Sequence, residues 1–119
     1  MARRAIGDLI FGKVYPLYLA KVERKGRTRA ELEAVIEWLT GYDADAINRH
    51  AASETSFQAF FEAAPRLNPD RDLITGMICG HRVEQIQDPI ARQVRQLDKL
   101  VDELAKGRPL AKIMRRPPA

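Results

Sequence analysis

ITGMICGHR, residues 74–82, decides how the middle of this chain is read, because it places the only cysteine two positions before one of the two histidines. Three readings compete: a reactive thiol beside its base, half of a metal site, or a helix that ends in a glycine turn. The spacing favours the turn. Leu73, Ile74, Met77 and Ile78 recur at helical steps, and Gly80 falls where that apolar stripe stops. Residues two apart on a helix point about 200° away from each other, so Cys79 and His81 pair only if Gly80 redirects the chain. Cys79 then reads as a small apolar side chain buried on the Met77/Ile78 side, since free cysteines are among the most buried residue types.

The same punctuation extends in both directions. Upstream, Asn68-Pro69 forms a cap followed by proline at the first helical position, with Asp70 and Asp72 in the positive first turn. Downstream, Val83 and Ile86 lead to Asp88-Pro89, which opens the longest helix. Its stripe of Ile90, Val94, Leu97, Val101 and Leu104 alternates steps of four and three until Gly107. Two heptads are too few for a dedicated coiled coil, so this seam is expected to pack on the other helices. Near the start, Val14, Tyr15, Tyr18, Leu19 and Val22 form a stripe that Gly26 stops, with Pro16 expected in the first turn. Thr28-Arg-Ala-Glu31 has the form of a capping box, followed by Leu32, Val35, Ile36 and Leu39 up to a left-handed cap at Gly41. Asp43 caps a short helix through Ile47 and His50, and Ser53 or Thr55 caps another through Phe57, Phe60 and Phe61. Pro109 starts a final turn with Leu110, Ile113 and Met114. Alternating apolar and polar runs are absent. The expectation is an all-α single domain over residues 11–115, a compact bundle of five to seven short helices, with a basic arm at 1–10 and a disordered tail at 116–119.

Composition agrees with an ordinary folded domain: 119 residues, 45% apolar and 30% charged. A lone cysteine makes no internal disulfide, and no cysteine pairs are available for a zinc ribbon. No run approaches the ~18 apolar residues of a membrane span, so a cytoplasmic protein with no membrane partner is expected. The net charge of +4 is unevenly spread. Residues 1–29 hold eight basic and two acidic side chains, 30–65 hold one basic and seven acidic, and 108–119 hold four basic and none acidic. Basic ends of this kind meet phosphates or anionic partners, or cover the acidic middle of the same fold.

Several long strings resemble one bacterial family, domain of unknown function 2200: VYPLYLAKVERKGRT at 14–28, WLTGYD at 38–43, FFEAAPRLNP at 60–69, ITGMICGHRVEQIQDP at 74–89 and LDKLVDELAKG at 97–107. The resemblance runs from Phe11 to Arg115. It implies a small cytoplasmic bacterial protein and carries over no activity, cofactor or catalytic residue. The family pattern accepts an apolar residue where His81 stands, which weakens any catalytic role for that histidine.

Candidate chemistry is sparse. His50, Cys79, His81 and the carboxylates lack the paired spacing of a zinc site, and Gly76 and Gly80 lack the lysine and hydroxyl of a phosphate loop. A helix-turn-helix around Gly76, Cys79, Gly80 and Ile86 would present Arg82, Glu84, Gln85, Gln87 and Asp88, which is not a basic set. No catalytic, metal or cofactor residue is assigned. The preferred expectation is a non-catalytic protein that binds a macromolecular partner, or itself, through a helical surface, with Trp38 and Tyr42 forming the contact patch. The first alternative is nucleic-acid binding through Arg24, Lys25, Arg27 and Arg29, aided by Arg115 and Arg116. The second is a small enzyme using Cys79.

Overall fold

The computed structural model describes residues 5–117. Six α-helices carry the chain: α1 Phe11–Arg24, α2 Arg29–Thr40, α3 Ala44–Ala51, α4 Phe57–Glu62, α5 Pro89–Ala105 and α6 Leu110–Ile113. Short 3-10 turns lie at Ile6–Asp8, Pro69–Leu73 and Val83–Gln85. The all-α expectation holds, and most helix starts lie where their capping residues predict. Thr28 closes a complete capping box with Glu31, and Gly41 ends α2 at φ 83°. Asp43 accepts from Ala46 N–H and Asp88 from Ala91 N–H. Ser56, rather than Ser53 or Thr55, caps α4.

α5 is the central element, packed against α1, α2, α4 and α6. Of its expected stripe, Val94, Leu97, Val101 and Leu104 are buried and Ile90 is half-buried; Leu100 and the polar Gln93, Gln96 and Glu103 are buried too, because neighbours cover it on more than one side. A second core centre is aromatic. Phe11 stacks on Phe60 with centroids 4.1 Å apart, and Phe57, Phe61 and Tyr42 close around them.

Three further local expectations change. First, ITGMICGHR is not a helix end. The Pro69–Leu73 turn stops early, and Met77–Ile78 (β1) pairs antiparallel with His81–Arg82 (β2), Ile78 opposite His81. Cys79 and Gly80 form the two-residue connection at φ 51° and 80°, the paired positive values of a type I′ hairpin turn. Cys79 is therefore exposed at the hairpin tip rather than buried. Second, α1 begins at Phe11, so Pro16 sits in its second turn and leaves the Gly12 carbonyl without a helical N–H. Third, residues 5–10, expected within a basic arm, pack on the domain. Phe57 N–H donates to Leu9 C=O at 2.8 Å, Phe11 N–H donates to Thr55 C=O at 2.9 Å, and Ile6 contacts the core. Residues 1–4, and 118–119 of the expected tail, lie outside the described residues.

Candidate functional site

WLTGYD places two aromatic residues about one turn apart, and Gly41 sends them in different directions. Tyr42, past the left-handed turn, is 5% exposed and donates to Phe60 C=O at 2.8 Å. Its ring lies 4.8 Å from His50 and 4.7 Å from Phe60. Trp38 stays on the outer side of α2 and is half-buried. It lines an open groove of about 450 Å³ with Ala34, Glu37, Gly41, Arg66, Asn68 and Met114.

Backbone pairing builds this groove. Arg66 N–H donates to Thr40 C=O at 3.0 Å and Asn68 N–H to Leu39 C=O at 2.9 Å, laying the 66–68 segment along the end of α2. The Asn68 amide adds a 3.0 Å bond to Trp38 C=O. A Cβ on Gly41 would stand 2.9 Å from Arg66 N, so glycine there serves both the positive φ and the close approach. The groove thus has an indole and a thioether for apolar contact, with Glu37 and Arg66 as exposed charges of opposite sign.

The basic candidates divide. Arg27 is held inside the fold: it pairs with Glu31 at 2.8 Å and donates to Leu104 C=O at 3.2 Å and Arg108 C=O at 2.9 Å. Arg29 pairs with Glu33 at 3.4 Å, bonds Asn48, and sits 5.7 Å from the Tyr15 ring centroid. Arg24 and Lys25 remain exposed beside an open groove of about 520 Å³ shared with Lys21, Asp102, Ala105 and Lys106. Asp102 accepts from Lys106 at 2.9 Å and Lys21 at 3.2 Å. Burial pushes its carboxyl up, but these two ammonium groups outweigh burial and hold it below the usual carboxylate range. Arg115 is tied to Glu103 at 2.6 Å, while Arg116 is exposed. Of these pairs, Arg27–Glu31 and Arg29–Glu33 join the basic N-terminal segment to the acidic middle, whereas Lys21 and Arg115 pair with Asp102 and Glu103 on α5.

Cys79 and His81 are both exposed on the hairpin, and His50 lies elsewhere, against Tyr42 and Phe60. Among the described residues, no group of three or more His, Cys, Asp or Glu side chains is arranged to hold a metal ion. Sequence reasoning put Tyr18 on the α1 stripe but missed its partner: Tyr18 donates to Asp98 at 2.5 Å, and Asp98 also pairs with Arg95 at 2.9 Å. Burial, then the Asp98 charge, pushes the Tyr18 phenol well above its ordinary value. No local sequence signal pairs residues 80 positions apart.

His50 yields a pH prediction. Its Nδ1 lies 3.0 Å from Thr55 Oγ1, and burial followed by the Arg49 charge lowers its pKa below the ordinary 6.5. The unfolded chain therefore takes up this proton more readily than the fold. His50 contributes its stability fully above pH 6.5, and that contribution is lost as pH falls through the lower folded pKa. The thermal midpoint should drop on acidification below 6.5, and His50→Gln should flatten that part of the profile. An NMR-titrated pKa above 6.5 would contradict it.

Comparison with known proteins now places the chain. The sequence profile of the family described as "Uncharacterized protein conserved in bacteria (DUF2200)" matches residues 5–115. The chain belongs to this family. Another structure, a crystal structure of the uncharacterized protein SP1917, superposes on this DUF2200 member with a TM-score of 0.87 at 39% identity, covering 95% of this chain and 93% of that one. Comparison with the curated proteins gives no match. Among the described residues no helix is long and apolar enough to cross a membrane.

Proposed function

We propose that this DUF2200 protein is a non-catalytic cytoplasmic binding protein whose contact surface is the Trp38 groove. The observation that carries this reading is the half-buried indole on the wall of an open cleft of about 450 Å³ that Met114, Glu37 and Arg66 also line. Half-exposed tryptophan in a concave patch with an incomplete polar rim is the kind of anchor that dominates protein–protein contacts. Tyr42, which does not line the groove, ties the segment after Gly41 to α4 through its hydroxyl, which donates to Phe60 C=O. The partner that fits is a protein segment offering one apolar side chain flanked by a basic and an acidic group.

The chain has one tryptophan, so its emission reports on this groove alone. Immobilised wild-type protein should retain a partner from bacterial extract, and titration of that partner should shift the Trp38 emission. Trp38→Ala, with helicity unchanged by circular dichroism, should weaken the interaction at least ~30-fold, the effect of a hot-spot side chain of about 2 kcal/mol. A partner that binds Trp38→Ala as tightly as wild type would remove the reading. The nucleic-acid alternative rests on Arg24 and Lys25, and it predicts binding that weakens steeply with salt.

A further inference from the structure

Another open groove, of about 400 Å³, is built from the Ile6–Asp8 turn, α1 and α5, and it shares no lining residue with the Trp38 groove. Its lining divides by chemistry. Ile6, Leu9 and Val14 supply apolar surface, while Arg95 and Asp98 on α5 supply one positive and one negative charge. Both halves have surface open to a ligand: Leu9 is 37% exposed, Ile6 and Val14 are half-buried, and the Arg95 and Asp98 side chains are 24% and 16% exposed.

Local structure holds the two halves in place. The Ile6–Asp8 turn packs on α4 and α5. Buried Gly7 permits that approach, since an added Cβ would stand 3.0 Å from Ile90 Cγ2 and 3.3 Å from Gln58 Cβ. The Phe57 N–H bond to Leu9 C=O anchors the end of the segment. On α5, Arg95 and Asp98 are three positions apart and so share one helix face, where they pair at 2.9 Å. The Tyr18 hydroxyl holds the other Asp98 oxygen. The ion pair is thereby fixed from two sides without being saturated. Asp98 accepts once at each oxygen, and each carboxylate oxygen has a second lone pair. Among the described residues, Arg95 gives only its Nη1 to a side chain.

We propose that this groove binds a free amino acid with an apolar side chain, of the size of leucine. Its carboxylate accepts from the Arg95 guanidinium, its ammonium donates to Asp98, and its side chain covers Ile6, Leu9 and Val14. Charge complementarity selects this class: the Arg95–Asp98 pair is neutral as a whole, so a ligand with one charge leaves the site unbalanced, whereas a zwitterion meets both partners. The apolar half selects an aliphatic or aromatic tail over a polar one. A groove of about 400 Å³ lies within the range of small-molecule sites, roughly 300–1,000 Å³.

The test is an NMR titration of the full chain, following the Ile6, Leu9 and Val14 methyl groups and the Arg95 Nε–H. The probes are L-leucine, 4-methylpentanoate, which lacks the ammonium, 3-methylbutylamine, which lacks the carboxylate, and glycine, which lacks the tail. L-Leucine should shift these signals saturably with a dissociation constant of about 1 mM or tighter. Each of the other three should bind at least ~10-fold more weakly, as expected when a charge-assisted bond or the apolar contact is missing. Asp98→Asn keeps an acceptor for Tyr18, so it should fold; it should weaken L-leucine at least ~10-fold while leaving 4-methylpentanoate unchanged. Arg95→Gln, at a partly exposed position, should weaken L-leucine equally and leave 3-methylbutylamine unchanged. The proposal is overturned if L-leucine gives no saturable shift, if a singly charged probe or glycine matches it, or if either variant binds L-leucine as wild type does.

Discussion

Phe60→Ala is expected to remove about 4 kcal/mol of folding stability, read as a fall in the urea midpoint at unchanged slope. The phenyl ring is fully buried and serves as the hub of the aromatic centre. It stacks on Phe11 at 4.1 Å, meets Tyr42 at 4.7 Å, and lies edge-on to His50 and Phe61 at 5.4 Å each. These rings come from α1, α3, α4 and the 41–43 turn, so none closes the cavity without moving an element. A domain of this size holds about 5–15 kcal/mol in total, so the variant should approach the edge of folding. Leu17→Ala, at a residue 67% exposed on α1, is the control and should cost no more than about 0.5 kcal/mol. A Phe60→Ala loss below about 1 kcal/mol would mean the aromatic centre is not packed as described.

Gly12→Ala should also be severe, and its sign opposes helix propensity. Alanine is the better helix former by about 1 kcal/mol, so an unobstructed site would gain stability. Here an added Cβ would meet Ala51 O at 2.3 Å, Ala51 C at 3.1 Å and Ser53 O at 3.2 Å. All three are backbone atoms at the end of α3, so no side chain can swing aside. α1 and α3 must separate, and the loss should be about 3 kcal/mol, lowering the thermal midpoint by about 12 °C. A midpoint equal to or above wild type would refute the close approach of these two helices.

Much of this architecture was legible because its signals are local. A capping box needs only Thr28 and Glu31, and Asp43, Asn68 and Asp88 each declare a start within three residues. The hairpin was not legible, for two physical reasons. Ile74, Met77 and Ile78 happen to repeat at helical steps, and strands of two residues are too short to reveal a period of two. The turn also puts cysteine at a positive φ where asparagine or glycine would have announced it. In the Trp38 groove, the sequence supplied the aromatic residues but not their division by Gly41. Arg66 and Met114 join Trp38 only through tertiary pairing. The buried glutamines were invisible for a similar reason: at Gln93 and Gln96 the residue type says surface, and only the neighbours around α5 say otherwise.

The position of Arg27 reaches beyond its own contacts. One guanidinium joins the start of α2, through Glu31, to the carbonyls of Leu104 and Arg108 on either side of the glycine that ends α5. Two chain reversals almost 80 residues apart are thereby clasped by a single fork of donors. Fraying that begins at either reversal must release the other, so amide protons at both should exchange with solvent at a common rate, as parts of one opening unit.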